Sequence, residues 1–275
     1  MTLPVQALVL QYVHECIIYG RSMAIVLGMM TKKGGAGKST LTKLLASAVV
    51  FSGHKCLVID LDPNEDILTW WTSATEQGNH DDRLTVRATL SSEDLFDLVD
   101  EHDEKVDFIL IDTKGEGADW ADHLASVSDR LIVPCLNSRS DAERTRETLQ
   151  WYSDLKTRVD DPASVPPLHV VLTRMPTSLL SYDGRGTPKG MTGNDMARYK
   201  SMVQEFRPLK SIVPERSQYR DMDERGLLGT LLDQARNGEW KDKGQALHYE
   251  SALAHATDLM NCILTGEAME TVDGA

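Results

Sequence analysis

The sequence predicts an α/β fold with a mostly parallel, twisted sheet of about seven strands and helices on both faces. Short runs rich in Val, Ile and Leu alternate with longer helical patterns from Met23 onward. Such near-continuous apolar runs are typical of strands that are buried on both faces, as in parallel sheets covered by helices. A glycine-rich segment after the first strand, and aspartates at two later strand ends, indicate a polar site at one edge of the sheet.

The predicted elements follow one another without a domain linker. Strands are predicted at residues 24–30, 56–60, 84–89, 108–112, 131–133, 168–173 and 212–213. Helices are predicted at residues 39–51, 92–99, 120–128, 141–159, 194–206 and 248–264. Ser91 or Ser92 is the expected cap of the second helix. Residues 162–167 and 182–193 are predicted to be surface loops, and the elements together form one domain.

We divide the chain into residues 1–22, an N-terminal extension, residues 23–265, the main domain, and residues 266–275, a flexible acidic tail. The apolar run 5–19 has no basic segment before it and is too short to span a bilayer. It is predicted to be an amphipathic helix on the domain or an upstream extension, with a membrane-surface helix as an alternative. Met23 is an alternative start of translation.

The composition excludes several classes of protein. Hydrophobic residues make up 41% and charged residues 26% of the 275 residues, which is a normal globular balance. The formal net charge of −13 argues against a protein that coats nucleic acid with its whole surface. The four cysteines lie far apart, which favours buried thiols in a reducing cytosol over a disulfide framework or a zinc site.

Residues 31–40 read TKKGGAGKST and lie between a predicted strand and a predicted helix. Glycines allow successive backbone N–H groups to surround phosphate oxygens at a helix N-terminus. We therefore predict a phosphate-binding loop, in which Lys38 contacts the β- and γ-phosphates and the Ser39 hydroxyl coordinates Mg²⁺. The alternative is a glycine turn that binds nothing. The predicted nucleotide-binding residues are Lys33, Gly34, Gly35, Ala36, Gly37, Lys38, Ser39 and Thr40.

One departure from the standard phosphate loop is informative. Position 32 is lysine where the standard motif has glycine, and Lys33 precedes the double glycine. This pattern resembles the deviant Walker A signature of the ParA/MinD family of P-loop ATPases. The resemblance implies the P-loop NTPase fold, ATP and Mg²⁺ as cofactors, and a homodimer that sandwiches ATP. It also implies that Lys33 is catalytic and reaches the partner's ATP, with Gly34 at the interface; otherwise Lys33 is a solvated loop lysine.

Two aspartates, Asp60 and Asp62, close the second predicted strand and precede Pro63. They resemble the first switch of the family, in which the second aspartate positions the hydrolytic water. The resemblance assigns that catalytic role to Asp62, beside Lys33 and Lys38, and places Asp60 near the magnesium. Residues 64–66 (Asn-Glu-Asp) depart from the family's usual sequence. Aspartates at a strand end are otherwise common turn caps.

Asp112 ends the apolar strand 108–111, as the aspartate of a Walker B motif does. We predict that Asp112 holds Mg²⁺ with Ser39 and Asp60. The following Thr113, Lys114 and Gly115 are more similar to the family branch that acts in conjugative or T-DNA transfer than to partition ATPases. By the same resemblance, Arg174, Pro214 and Glu215 match positions where relatives contact the adenine and ribose.

Residues 185–225 contain nine basic and six acidic residues in a chain that is acidic overall. Relatives bind DNA non-specifically, as dimers, through basic residues in this half, which predicts a salt-dependent DNA contact here. The alternative is a solvated helical face with ion pairs. The acidic tail lacks the basic amphipathic helix by which MinD-type proteins attach to membranes.

The leading functional hypothesis is a slow, partner-stimulated ATPase for DNA segregation or positioning, which dimerises on ATP, binds DNA and is released on hydrolysis. The first alternative is a conjugative or T-DNA-transfer ATPase that recruits a DNA–protein cargo to the cell pole. Trp70–Trp71 and Arg225–Gly226 are similar to that branch. The second is a metabolic P-loop enzyme. The expected partner is a ParB-like or relaxase-like protein, without integral membrane association, and the expected location is cytoplasmic, at the nucleoid or pole.

Overall fold

The fold is that of a computed structural model. The structure describes residues 23–32, 35–114, 118–183 and 185–270. Five sequence predictions lie partly or wholly outside these ranges: the N-terminal extension 1–22, Lys33 and Gly34 of the loop, Gly115 after Asp112, Gly184 of the surface loop 182–193, and the end of the acidic tail.

Six parallel strands of the described residues form one sheet in the order β3-β2-β4-β1-β5-β6. The strands are β1 (Ile25–Met29), β2 (Cys56–Leu61), β3 (Leu84–Ala88), β4 (Phe108–Thr113), β5 (Arg130–Leu136) and β6 (Leu168–Thr173). The predicted α/β fold with helices around a parallel sheet is confirmed, whereas the expected number of about seven strands is corrected to six.

The predicted strand 212–213 is the one that does not form. The Val213 N–H donates to the Leu172 carbonyl at 2.8 Å, and the Met175 N–H donates to the Val213 carbonyl at 3.1 Å. The pairing ends in one isolated bridge between Met175 and Pro214. Pro214 has no N–H to donate to a ladder, and a helix begins at Ser217, so the segment is too short to become a strand.

Nine α-helices surround the sheet within the described residues. They are α1 (Lys38–Phe51), α2 (Asp66–Glu76), α3 (Ser92–His102), α4 (Ala118–Val127), α5 (Arg139–Arg158), α6 (Gly193–Phe206), α7 (Ser217–Arg225), α8 (Leu228–Asn237) and α9 (Trp240–Thr265). Short 3₁₀ turns occupy Pro162–Ser164 and Thr177–Ser181. The predictions lacked α2, α7 and α8, and α9 begins eight residues before its predicted start at 248.

Two hydrophobic clusters cover the two faces of the sheet. One contains Leu45 of α1, Leu231 of α8 and Leu253 of α9. The other contains Leu95 of α3 and Leu124 of α4, together with residues of α6. No helix of the described residues is long and apolar enough to cross a membrane.

The central strand β1 lies between β4 and β5, and the glycine-rich loop follows its carboxyl end. Asp60 of β2 is opposite Asp112 of β4 in the strand register. The sheet therefore brings the loop and both aspartates to one edge, the place where open α/β sheets bind their ligands.

Candidate functional site

The described part of the glycine-rich loop leads directly into α1 through two residues with left-handed backbone. Gly35 has a φ of 81° and Gly37 a φ of 95°, conformations that favour glycine. The Thr173 hydroxyl, at the end of β6, donates to the Ala36 carbonyl at 3.1 Å and braces the loop. Among the described residues, no side chain caps the start of α1. Its first backbone N–H groups are therefore available to an anion.

The side chains at the start of α1 contact Asp112. The Ser39 hydroxyl donates to one Asp112 carboxylate oxygen at 2.7 Å, and the Thr42 hydroxyl lies 3.3 Å from the other. Thr113, the next residue of β4, donates to the Met29 carbonyl at 2.7 Å and holds the ends of β1 and β4 together. The Ser39 hydroxyl and the Asp112 carboxylate supply oxygen atoms, which are the ligands that Mg²⁺ prefers.

Burial and charge act in opposite directions on the ionisable groups of this cluster. Burial raises the pKa of Asp112 to about 6, against the hydrogen bond from Ser39 and the positive charge of Lys38. Burial also lowers the pKa of Lys38, while Asp112 and Asp62 oppose that shift. A bound triphosphate would add the negative charge that favours the protonated lysine.

Asp60 is fully buried, and both of its carboxylate oxygens accept backbone N–H groups of the segment that follows β2. The N–H groups of Asp62, Ile67 and Leu68 donate at 3.0, 2.9 and 3.2 Å. Burial raises the pKa of Asp60, against these three hydrogen bonds. Asp60 lies next to Asp112, but its contacts are those of an anchor for the start of α2.

Asp62 is partly exposed and lies near the loop lysine, because its charge acts on the pKa of Lys38. One Asp62 carboxylate oxygen accepts the Asn64 N–H at 2.9 Å, and the Asp62 carbonyl accepts the Glu65 N–H at 2.9 Å. The segment is a turn in which Glu65 has a φ of 52°. The contacts fit the turn-cap alternative, and the catalytic assignment of Asp62 stays a prediction.

A groove of about 330 Å³ lies beside the loop and contains the predicted base-contact residues. Arg174, Pro214 and Glu215 line it together with Thr40 of α1. Sequence analysis missed three further lining residues on α7: Tyr219, Arg220 and Asp223. They gave no signal because α7 itself was not predicted. We call it the base groove, because a groove next to a glycine-rich loop is where the base and ribose of a nucleotide are expected; these contacts stay a prediction.

A family model described as VirC1 protein matches residues 23–270. The chain belongs to the VirC1 family. Protein virC1 of Rhizobium radiobacter is 24% identical over 202 residues, which are 73% of this chain and 80% of that protein. Protein ParA of the same organism is 23% identical over 169 residues, which are 62% and 73% of the two chains. The predicted resemblance to ParA/MinD-type proteins is thus confirmed.

The fold of this VirC1-family chain is also similar to that of solved ParA-like proteins. The structure of an ATP complex of a Cyanothece McdA variant aligns with a TM-score of 0.61 and 13% identity, over 91% of this chain and 99% of that one. At this identity the likeness supports the P-loop NTPase fold, and the chemistry must be argued from the residues of the site.

A second cavity, of about 360 Å³, lies on the other side of the loop from the base groove. Thr31 and Lys32 border it at the end of β1, and Thr113 and Lys114 at the end of β4. Trp120 of α4, and Trp151 with the Arg144–Glu147 ion pair of α5, form the opposite wall. This cavity could not be predicted from the sequence, because its walls come from four separate elements.

The nine basic residues of 185–225 do not form one uniform surface. Four are engaged: Arg198 with Asp195 and the Asn137 carbonyl, Lys210 with Glu267, Arg216 with Ser251 and His255, and Arg225 with Gln234. The side chains that make no ion pair or hydrogen bond with another described residue are Arg185, Lys189, Lys200, Arg207 and Arg220. One part of residues 185–225 therefore fits the DNA-binding interpretation, and the other part fits the ion-paired interpretation.

Proposed function

We propose that this VirC1-family chain is a Mg²⁺-dependent ATPase that positions a DNA cargo. The observation that supports it is the start of α1, where uncapped backbone N–H groups meet Lys38, Ser39 and Asp112. A helix N-terminus with a lysine and a hydroxyl–carboxylate pair is suited to a triphosphate and its metal ion. Membership of the VirC1 family favours the transfer branch over plasmid partition as the biological setting.

Each side chain has a distinct part in the proposed chemistry. The N–H groups of residues 35–40 and the Lys38 ammonium bind the phosphate oxygens and offset the charge that develops during transfer. Ser39 and Asp112 would hold Mg²⁺, which when bound would neutralise charge on the β- and γ-phosphates, and Asp60 would lie near the metal as the anchor of the start of α2. Asp62 orients the attacking water, and Arg174, Pro214 and Glu215 hold the base and ribose. Turnover is slow and is stimulated by a partner protein.

The dimer and DNA parts of the proposal rest on the family resemblance. Lys33 of each chain completes the phosphate site of the other, with Gly34 at the contact, so ATP binding favours a closed homodimer. The closed dimer binds DNA through Arg185, Lys189, Lys200 and Arg207, which have no ion-pair partner among the described residues. A ParB-like or relaxase-like protein is the expected partner at the nucleoid or pole. Residues 23–265 form the proposed ATPase domain.

Isothermal titration calorimetry with Mg²⁺ and ATP tests the nucleotide site. We expect Lys38→Ala to weaken ATP binding at least about 100-fold, because a buried charge contact to phosphate is lost. The exposed Lys243 serves as the matched control, and Lys243→Ala should bind ATP as the wild type does. Absence of ATP binding by the folded wild-type protein would refute the proposal.

Size-exclusion chromatography tests the dimer. Asp62→Ala should bind ATP, fail to hydrolyse it and elute as a stable dimer, whereas Lys38→Ala should stay monomeric. A monomeric Asp62→Ala protein that has bound ATP would contradict the sandwich mechanism.

Filter binding with duplex DNA at low salt tests the last step. Replacing Arg185, Lys189, Lys200 and Arg207 together by Gln should abolish ATP-dependent retention and reduce its salt dependence. Lys105→Gln, just after α3, and Lys156→Gln, on α5, are controls that also remove a positive charge. Retention of the quadruple variant equal to that of the wild type would show that DNA binds elsewhere, and no retention of the wild type would refute DNA binding.

One observation favours a second candidate function, a metabolic P-loop enzyme. The 360 Å³ cavity beside the loop has the size of a small-molecule site and carries Lys32 and Lys114 at its rim. Rapid ATP turnover that requires a small molecule and ignores DNA would favour this function. Turnover stimulated by DNA or a partner protein would exclude it.

A further inference from the structure

Two sequence features that lie far apart, Trp70 after the aspartate segment and Gly226 after α7, meet in the folded protein. Trp70 is buried in α2, and its indole Nε1–H donates to the Met222 carbonyl of α7 at 2.7 Å. A buried indole that bonds to a carbonyl 152 positions away fixes one helix against the other.

The far end of α2 is held to the same region. The side-chain amide of Asn79, which is buried, donates to the Arg225 carbonyl at 2.7 Å. Gly226 has a φ of 114°, and a Cβ atom placed on it would lie 2.9 Å from the Ala74 Cβ and 3.3 Å from the Asn79 Cβ. Since only glycine fits this approach, α2 and the α7–α8 corner are in close contact.

A buried lysine that the phosphate site does not use joins α1 to this contact. Lys43 forms an ion pair with Asp223 of α7, and its Nζ lies 5.3 Å from the centre of the Trp70 ring. The Lys43 side chain is 6% exposed and that of Asp223 is 59% exposed. The ring and the carboxylate together stabilise the buried ammonium.

We call Lys43, Trp70, Asn79, Asp223 and Gly226 the Trp70 clamp. Its α7 side lines the base groove through Tyr219 and Asp223. Its α2 side begins directly after the turn that contains Asp62, and the first N–H groups of α2 are bound by Asp60. The clamp therefore lies between the base groove and the carboxylate proposed to orient water.

We infer that the Trp70 clamp couples occupation of the base groove to the placement of Asp62, with Trp70 as a positioning residue. This inference rests on the proposed ATPase function. A base in the groove contacts α7, and α7 and α2 shift together because close packing and buried hydrogen bonds leave no room for independent movement. The start of α2, and with it the Asp62 turn, is then held more tightly against Asp60, to which Ile67 and Leu68 already donate.

Hydrogen–deuterium exchange at the N–H groups of Ile67 and Leu68 tests the inference, because both donate to Asp60. In the wild type, Mg²⁺–ADP should slow their exchange about tenfold, and pyrophosphate, which lacks a base, by less than about twofold. Trp70→Phe removes the indole N–H and keeps an aromatic ring. There the ADP effect should fall below about twofold, while calorimetry shows ADP affinity within about twofold of wild type.

Trp71→Phe is the matched control, because the Trp71 indole makes no hydrogen bond with another described residue. It should keep the tenfold ADP effect. Lys43→Met, which removes the ion pair and keeps an unbranched side chain one atom shorter, is a second clamp variant and should also lose most of the effect. In ATPase assays, both clamp variants should lower kcat about fivefold at unchanged KM, the loss expected from one hydrogen bond that acts on the reaction step.

The possible outcomes distinguish a failure of the coupling from a failure of the proposed function. If both clamp variants keep the full ADP effect on Ile67 and Leu68, or if pyrophosphate protects as well as ADP, the coupling is wrong and the nucleotide site stands. If the wild-type protein binds no ADP in calorimetry, the proposed function itself fails. A loss of thermal stability with normal ADP protection would assign the clamp to folding alone and overturn the inference.

Discussion

Asp60 and Asp112 stand opposite each other on β2 and β4, are equally buried, and have different partners. Asp112 accepts from the hydroxyl groups of Ser39 and Thr42, whereas Asp60 accepts from three backbone N–H groups. A hydroxyl group can rotate and exchange its partner, but a backbone N–H in a turn or helix cannot. The Asp112 carboxylate is therefore free to take a metal ion. The Asp60 carboxylate, at the equivalent strand position, serves as an anchor for the start of α2.

The first expected difference between the two aspartates concerns Mg²⁺. Asp112→Asn should reduce the Mg²⁺-dependent gain in ATP affinity about 10- to 100-fold, because a carboxylate near the metal is lost. Asp60→Asn should retain most of that gain. Calorimetric titration of ATP with and without Mg²⁺ measures both. If Asp60→Asn loses the Mg²⁺ effect and Asp112→Asn keeps it, the division of roles is wrong.

The second prediction concerns stability without metal. Folding raises the pKa of Asp112 from its ordinary 3.8 to about 6. A group with a raised folded pKa contributes stability below its unfolded pKa, and this contribution is lost as the pH rises through about 6.

Asp112→Asn avoids that loss, because the amide oxygen still accepts from Ser39 and no charge is buried. In EDTA, the variant should be more stable by about 3 kcal/mol near pH 7.5 and by about 1 kcal/mol near pH 4.5. Urea denaturation at both pH values checks the sign. Equal stability of the two proteins near pH 7.5 would contradict the pKa argument.

Asp60→Asn should act in the opposite direction. An asparagine oxygen can replace the carboxylate oxygen that accepts from Ile67 and Leu68, but its amide N–H₂ then faces the Asp62 N–H. Since an unsatisfied buried donor costs about 1–3 kcal/mol, partly offset by removal of a buried charge, the net loss should be about 1–2 kcal/mol. A stabilised Asp60→Asn protein would mean that the anchor contributes nothing.

The smallest expected effect is that of replacing Thr42, the second hydroxyl partner of Asp112. Its hydroxyl lies 3.0 Å from the Lys38 carbonyl and 3.3 Å from Asp112, and one proton cannot serve both fully. Thr42→Val keeps the shape, so it should cost about 0.5–1 kcal/mol by thermal denaturation and leave ATP affinity unchanged. A large loss of affinity would place Thr42 among the nucleotide contacts.

The sequence predicted those elements whose local pattern and packing agree. All six strands of the sheet were predicted, because short runs rich in Val, Ile and Leu, such as those that begin at Phe108 and Val170, are buried in it. The missed helices have weaker local signals. α7 is mostly polar, and the residues that directly precede α2 and α8 provide no side-chain cap. These helices are fixed by contacts such as Trp70 with Met222, between residues far apart in sequence.

The sequence predicted that the glycine-rich loop and the two aspartates lie at one edge of the sheet, because a strand end fixes the position of the residue that follows it. The different partners of Asp60 and Asp112 could not be predicted, because they depend on α2 returning to β2 and on α1 lying beside β4. For the same reason, only one wall of the groove beside the loop, that of Arg174 and Pro214, was named from the sequence. Its other wall belongs to α7.

The start of α1 differs from the starts of three other helices. Ser91, Ser138 and Thr192 cap α3, α5 and α6 with their hydroxyl groups, whereas α1 follows Gly37, which has no side chain to offer. The first turn of α1 should therefore fray in the nucleotide-free protein and become ordered when phosphate oxygens take the place of the missing hydroxyl. The nucleotide would then be a structural component of the helix as well as a substrate, and its departure after hydrolysis would loosen the centre of the molecule.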